Sequence, residues 1–257
     1  STLATFPFLC ANVDVRARSV TLADPPDPPG NEPYPPRARQ DRLAALQDTS
    51  WTPLGRPYVI LPAGDRHVGV IGITTETLPV VVSRKNLTDI RVRGALATVR
   101  ALLPEVRRQA DLVVLLSHSG LEADSALAKA LPGIDVIVSA HDHRLVPAPI
   151  LVRVPGALNG LGGTLLVETG QWGQNLGVLD LTLTDGRLTG YDGRLWPVTA
   201  RLAQAPRVKT IADVYQAKLA PLVNEVVATS TVPLPGDSLL YAETALGNLI
   251  TDIMRQR

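Results

Sequence analysis

The chain has 257 residues, 45% of them hydrophobic and 19% charged, so it can bury the core of one large domain. Its 25 basic and 24 acidic residues give a formal net charge of +1, which argues against binding nucleic acid or an anionic membrane through bulk charge. The single cysteine, Cys10, excludes an internal disulfide framework and a cysteine-rich zinc site. We expect no membrane span and no signal peptide, because no apolar run approaches the roughly 20 residues of a spanning helix and the first residues lack a leader pattern.

The first half of the chain has the pattern of an α/β domain. A proline-rich stretch, 24–36, predicts an extended surface loop. Buried strands and helices then alternate: strand 67–75, helix 95–110, strand 111–117, helix 120–131 and strand 134–139. Pro104 is expected to kink or divide the first of these helices. The alternation predicts βαβ crossovers and a largely parallel sheet.

The pattern changes to antiparallel strands after this region. Residues 164–170 and 175–198 predict strands joined by Asp-Gly turns, one at Asp185-Gly186 and one at Asp192-Gly193. The glycine-rich stretch 158–164 precedes a strand rather than joining a strand to a helix, so it predicts a turn and not a phosphate cradle.

Two segments near the end have helical spacing. Residues 208–228 predict a helix interrupted at Pro221, and 243–257 begin a second amphipathic helix. A helix that opens a new segment and then stops suggests the start of a second domain.

Three of the four histidines share one setting. His118, His141 and His143 each follow the carboxyl end of a predicted buried strand, which is the edge of an open α/β sheet where ligands bind. Imidazole is the commonest metal-binding side chain, so the spacing suggests a metal site. Asp142 is expected to hydrogen-bond its neighbours or face solvent, and His67, at the opposite end of its strand, is assigned to the surface. The alternative for any loop histidine is a solvated side chain.

Several motifs in this order resemble those of a known enzyme family. The stretches "FPFLCANV", "VGVIGITTET", "SHSGLEAD", "SAHDH", "LLVETGQWGQNLGVLDLTL" and "ALGNLITD" resemble the 5'-nucleotidase family of calcineurin-like metallophosphoesterases. The resemblance covers nearly the whole chain, residues 6–255. It implies an α/β fold, namely a partial four-layer α/β/β/α metallophosphoesterase sandwich lacking its N-terminal strands. Residues 1–205 would be the C-terminal portion of that domain, and 206–257 a linker helix and the truncated start of the 5'-nucleotidase C-terminal domain.

The resemblance also implies an activity and a metal centre. The activity is metal-dependent phosphoester hydrolysis of the 5'-nucleotidase or 2',3'-cyclic phosphodiesterase type, with two divalent ions such as zinc or manganese in the complete enzyme. His118 and His141 match ligands of the second ion, and His143 matches a ligand of the first. Asn12 lies in a recurring motif and is given no catalytic role.

The sequence departs from the family in its ligand set. The family's Asp-x-His, Gly-Asp and Gly-Asn-His motifs precede the point where this sequence starts, so we expect about half a site, with no catalytic or substrate-binding residue assigned. Ser139 and Ala140 stand where glycines are common in the family. Exposed sheet surface predicts an aggregation-prone chain, or a separate chain that supplies the missing N-terminal half.

The implied partners follow from the same resemblance. The substrate would be a nucleotide or another phosphate ester, and the compartment periplasmic or extracellular. Two alternatives stay open: a catalytically inactive binding or interaction module on the same scaffold, and a mononuclear imidazole site with another role.

Overall fold

The computed structural model describes residues 6–16, 51–83, 87–236, 238 and 242–256. The proline-rich segment 24–36, predicted to be a surface loop, lies outside the described residues. The chain divides into two compact units, Ser1–Thr199 and Ala200–Arg257. Within the described ranges, none of the helices combines the length and the apolar character needed to cross a bilayer.

Most strands of the first unit belong to one sheet. The described strands are, in chain order, β1 Val13–Arg16, β2 Trp51–Pro53, β3 Tyr58–Ala63, β4 Arg66–Thr74, β5 Ile90–Val92, β6 Leu112–His118, β7 Val136–Val138, β8 Ile150–Arg153, β9 Gly163–Val167, β10 Asn175–Thr184 and β11 Arg187–Pro197. Six of them form a sheet in the order β3-β4-β6-β7-β9-β8. The four inner strands are parallel, and the edge strands β3 and β8 are antiparallel to their neighbours. The predicted parallel sheet is therefore confirmed.

The helices of the first unit lie between these strands in the chain. The described helices are α1 Leu78–Val81, α2 Ala95–Gln109, α3 Leu121–Ala130, and, in the second unit, α4 Pro206–Val223 and α5 Ala245–Arg255. Helix α2 runs unbroken through Pro104, so the predicted division there is wrong. The proline removes one backbone hydrogen bond, but the buried side chains of Val99 and Val106 hold the helix against the sheet on both sides of it.

The two faces of the sheet bury different partners. On one face, helices α2 and α3 pack over a core that includes Ile71, Leu115 and Ile137. On the other face, Leu188 of β11 packs with residues of β6, β7 and β9. This arrangement follows from strand geometry, because successive side chains point to opposite faces. The result is a helix layer, a sheet and a hairpin layer, which confirms the predicted α/β class and is consistent with a partial sandwich.

One of the two predicted Asp-Gly turns is present. Asp185 and Gly186 join β10 to β11 with φ of 50° and 74°, the positive values that a two-residue type I′ turn requires. The turn predicted at Asp192-Gly193 is wrong, because both residues lie inside β11 and pair with β10. Gly193 is instead a site of close approach, since a Cβ there would collide with the ring of Pro149.

Asn12 connects a second, small sheet to the end of β4. Strands β2, β1 and β5 form this sheet, and Asn12 lies fully buried just before β1. Its amide Nδ2 donates to the Thr74 carbonyl at 2.8 Å, and its Oδ1 accepts from the Thr74 N–H at 2.9 Å. Thr74 pairs with His118 across β4 and β6, so Asn12 supports the sheet edge beside that histidine.

The described part of the second unit contains two exposed helices. Helix α4 ends at Val223, so the predicted extension to residue 228 is wrong, and Pro221 lies in its last turn. Helix α5 begins after Thr244, whose hydroxyl accepts a hydrogen bond from the Gly247 N–H at 3.0 Å. Neither helix contains a buried residue.

Candidate metal centre

The three candidate histidines lie at the carboxyl ends of β6 and β7. His118 is the last residue of β6, and His141 and His143 lie in the loop that follows β7. The two strands are parallel neighbours whose last ladder pair is Leu116 and Val138. Parallel strands bring their carboxyl ends to one edge, so the loops that carry the histidines are adjacent.

The structure brings two of the three imidazoles together. The ring centroids of His118 and His141 are 5.1 Å apart. With metal–nitrogen bonds of about 2.1 Å and tetrahedral angles, two imidazole rings on one ion have centroids roughly 5 Å apart. The spacing of the pair therefore fits shared binding of one ion.

His143 has a different neighbour. Its ring lies 5.9 Å from the ring of Trp172, an indole that is 83% exposed in the turn between β9 and β10. The sequence analysis assigned no role to this tryptophan. The backbone of Trp172 has a φ of 57°, a left-handed conformation that is rare for a bulky residue.

The loop after β7 carries further backbone strain. His141 has a φ of 108° and His143 a φ of 59°, whereas neither Ser139 nor Ala140 has a positive φ. The absence of the family's glycines therefore does not strain this loop at those two positions. A strained non-glycine residue costs on the order of 1–3 kcal/mol and persists only where the surrounding structure fixes it.

Backbone and side-chain bonds join the two histidine loops. The Gly120 N–H donates to the Ala140 carbonyl at 2.9 Å, and the Asp142 carboxylate accepts from the Leu121 N–H at 3.2 Å. Asp142 therefore satisfies a backbone donor at the start of α3 and remains exposed, in agreement with its predicted role.

A buried carboxylate is hydrogen-bonded to a serine just before each histidine of the pair. Asp124 on α3 is completely buried and accepts hydrogen bonds from the hydroxyls of Ser117 and Ser139. Burial raises the pKa of Asp124, and the two hydroxyl bonds oppose that rise. The sequence analysis missed this residue, although helical spacing places it on the same face as the buried Leu127 and Ala128.

Glu168 is a second buried carboxyl near the same loop. Its Oε1 accepts from the Arg144 N–H at 2.9 Å, and among the described residues its Oε2 has no hydrogen-bond partner within the distance and angle limits of a bond. Burial raises the pKa of Glu168 to about 7, and the nearby Asp142 adds to the rise. Nothing in the sequence pattern indicated it, because Glu168 follows a short apolar strand where either an exposed or a buried side chain is possible.

Glu168 is expected to make stability depend on pH. Its folded pKa of about 7 lies above the ordinary 4.5, so the folded chain holds this proton more tightly than the unfolded chain does. The stabilisation is complete below pH 4.5 and is lost as the pH rises through 7. The variant Glu168→Gln stays neutral, so at pH 8 it should be more stable than the unchanged chain by about 2–3 kcal/mol.

Urea unfolding at pH 5 and pH 8, in the presence of a chelator, measures this effect. The two proteins should differ much less at pH 5 than at pH 8. Glu122→Gln removes an exposed carboxyl from α3 and serves as the matched control for the loss of one charge. If the free energies of unfolding of Glu168→Gln and the unchanged chain differed equally at both pH values, the raised pKa of Glu168 would be contradicted.

The environment of His118 suits metal binding, but the ligand set is partial. Partial burial, together with the nearby His141 and His143, lowers the pKa of His118 and so favours the neutral imidazole that binds metal. Among the described residues, however, no group of three or more histidine, cysteine, aspartate or glutamate side chains is arranged to hold an ion. The pair thus fits part of one metal site and does not by itself form a two-metal centre.

The fold is shared with solved phosphoesterases. The calcineurin-like phosphoesterase YfkN from Bacillus subtilis superposes with a TM-score of 0.59 over 86% of this chain and 65% of its own, at 23% identity. At that identity the likeness shows the fold alone. The chain therefore shares its fold with a calcineurin-like phosphoesterase, and phosphoesterases of that kind generally use divalent metals.

Proteins of higher sequence identity to this chain bear nucleotidase names. A 5'-nucleotidase precursor from Thermus thermophilus is 26% identical and superposes with a TM-score of 0.71 over 98% of this chain and 46% of its own. A 2',3'-cyclic-nucleotide 2'-phosphodiesterase/3'-nucleotidase from Yersinia enterocolitica is 33% identical over 60% of this chain and 26% of its own length. The predicted resemblance to the 5'-nucleotidase family is confirmed. No family model matches the chain.

The matched length limits what these relatives imply. The chain spans about a quarter of the Yersinia enzyme and just under half of the Thermus protein. The roles of His118, His141 and His143 as metal ligands stay predictions.

Proposed function

We propose that the protein acts in metal-dependent hydrolysis of phosphate esters of nucleotides, of the 5'-nucleotidase or 2',3'-cyclic phosphodiesterase type. The observation that carries the proposal is the pair of imidazoles, 5.1 Å apart, at the carboxyl ends of two adjacent parallel strands. A scaffold that only provided a binding surface would have no physical need for two paired imidazoles at this edge. The names of the relatives, nucleotidase and cyclic-nucleotide phosphodiesterase, support the substrate class.

The histidines would hold the metal and the bound metal would supply the chemistry. His118 and His141 would bind one divalent ion and His143 would contribute to a second, and nitrogen with oxygen ligands suits zinc or manganese. When bound, a pair of such ions polarises the phosphoryl oxygens and lowers the pKa of a water molecule. The exposed indole of Trp172 beside His143 offers a flat apolar face on which a nucleobase or ribose could pack.

Further polypeptide would complete the site, either from the same protein or from a separate chain. A groove of about 380 Å³ lies beside His118, and its lining includes the apolar side chains of Phe8, Leu116 and Val138. Leu116 and Val138 are 42% and 39% exposed although they lie on inner strands of the sheet. Apolar side chains on inner strands are normally covered, so this groove is where we propose that additional strands pack.

The domain division and the compartment follow as parts of the same proposal. Residues 206–257 would be the linker helix and the start of a C-terminal domain, which accounts for helices α4 and α5 having no buried residue. Export to the periplasm or the cell exterior is supported by the Thermus relative, which is named a precursor.

Phosphate release tests the proposed activity. The purified chain, with added Mn²⁺ or Zn²⁺, is incubated with AMP and with a chromogenic phosphate diester, beside the double variant His118→Ala/His141→Ala. We expect metal-dependent release that the double variant lacks, in the chain alone or after polypeptide carrying the Asp-x-His and Gly-Asn-His motifs is added. Release that is equal in the double variant, or absent even with that polypeptide, would contradict the proposal.

A second candidate function is a binding module that has lost catalysis. The observation that favours it is the partial ligand set, since no group of three or more metal-binding side chains is arranged among the described residues. It predicts that a nucleotide binds the completed protein without phosphate release, which the same assay with calorimetry distinguishes.

A further inference from the structure

Asp124 connects the ends of two strands through one carboxylate. Its Oδ1 accepts from the Ser117 hydroxyl at 2.6 Å, and its Oδ2 accepts from the Ser139 hydroxyl at 2.5 Å. These lengths are those of hydroxyl bonds to a carboxylate. Asp124 is 0% exposed and the two serines are 5% and 4% exposed, so water does not compete for the bonds.

Each serine is the last buried residue in the chain before a histidine of the pair. Ser117 directly precedes His118 on β6, and Ser139 directly follows β7, two residues before His141. The last ladder pair of these strands is Leu116 and Val138. The serines therefore lie one position beyond this pair, where the backbone ladder between β6 and β7 has ended.

The strain in the second loop requires a support of this kind. His141 has a φ of 108°, which a non-glycine residue keeps only where neighbouring contacts fix the backbone. The Gly120 N–H bond to the Ala140 carbonyl, at 2.9 Å, holds the residue directly before the strained position. The Ser139 bond to Asp124 holds the buried side, two residues before the strained position.

We propose that Asp124 is a positioning residue that sets the spacing between the imidazoles of His118 and His141 by holding Ser117 and Ser139. The effect of Asp124 on metal affinity rests on the proposed function. Its effect on the spacing between the two rings does not depend on that function. Groups bonded directly to a metal ligand typically change metal affinity 10–100-fold when they are removed, and Asp124 acts one bond further away, so we expect the lower end of that range.

Serine variants test the proposal with a matched control. Ser117→Ala and Ser139→Ala each remove one bond to Asp124. Ser119→Ala is the control, because Ser119 is the other neighbour of His118 and its hydroxyl has no partner within bonding distance among the described residues. The nuclear Overhauser effect between the two rings is measured in histidine-labelled, metal-free chain. The affinity for Co²⁺ or Zn²⁺ is measured in parallel.

We expect the ring-to-ring signal to weaken, and metal affinity to fall about 10-fold or more, in Ser117→Ala and Ser139→Ala but not in Ser119→Ala. Asp124→Asn, which can accept from one hydroxyl and donate to the other, should retain more of both readouts than Asp124→Ala. If Asp124→Ala does not fold, the serine variants decide.

The outcomes separate this proposal from the proposed function. A ring-to-ring signal that is unchanged in both serine variants, or reduced equally in Ser119→Ala, would overturn the positioning role. A weakened signal in a chain that binds no metal would support the positioning role while contradicting the metal site.

Discussion

Replacing Asp135 by alanine should lower the free energy of unfolding by about 3–5 kcal/mol, the range for breaking a buried charge pair. Asp135 is 1% exposed, and its Oδ2 accepts from Arg107 at 2.5 Å and from the Val113 N–H at 2.8 Å. Its Oδ1 accepts from the Asn159 amide at 2.9 Å. Alanine would leave a largely buried guanidinium and two buried N–H donors without this acceptor, and unpaired buried groups lose their full hydration.

Urea unfolding monitored by circular dichroism measures the change. Asp180→Ala is the matched control, because it removes an aspartate whose ion pair with Arg194 lies at the surface, where such pairs contribute little. The apolar double replacement Asp135→Leu/Arg107→Met should be less destabilised than Asp135→Ala, since neither charge is then left unpaired. A free energy of unfolding that falls no further in Asp135→Ala than in Asp180→Ala would show that the charge pair does not support the fold.

The parallel sheet and the position of the histidine pair could be predicted because both follow from local patterns. A parallel strand buried on both faces is a continuous apolar run, as in 112–116, and its end is marked by the first polar residues. The next-neighbour order of β6 and β7 then brings His118 and His141 to one edge. Short strands such as β2 and β5, each of three residues, have no such run and were not predicted.

The contacts that support the site could not be predicted because they join residues far apart in the chain. Asp124 meets Ser139 across 15 positions, and Glu168 meets Arg144 across 24. Gly193 illustrates the same limit, since an Asp-Gly pair is typical of a turn, and only the ring of Pro149 shows why glycine is needed inside a strand. Positive φ at His141 is likewise set by its surroundings and not by a glycine in the sequence.

Metal affinity should fall by about 100-fold or more when either His118 or His141 is replaced by alanine, since each loss removes a ligand itself rather than a supporting partner. The two rings lie 5.1 Å apart and would share one ion. The double variant should therefore lose little more than either single variant, because residues that act as a unit are not additive. Titration with Co²⁺, monitored through the absorption spectrum of the bound ion, measures the affinities of the two single variants and the double variant.

The effect of His143→Ala separates two kinds of site. His143 lies beside Trp172 and outside the pair, so its replacement should weaken binding of the ion shared by His118 and His141 less than replacement of His118 does. His67→Ala is the matched control, because His67 is exposed at the opposite end of β4. If His143→Ala were as damaging as His118→Ala, three imidazoles would share a single ion. The site would then be mononuclear, and the His143 ring would have to leave Trp172 to reach it.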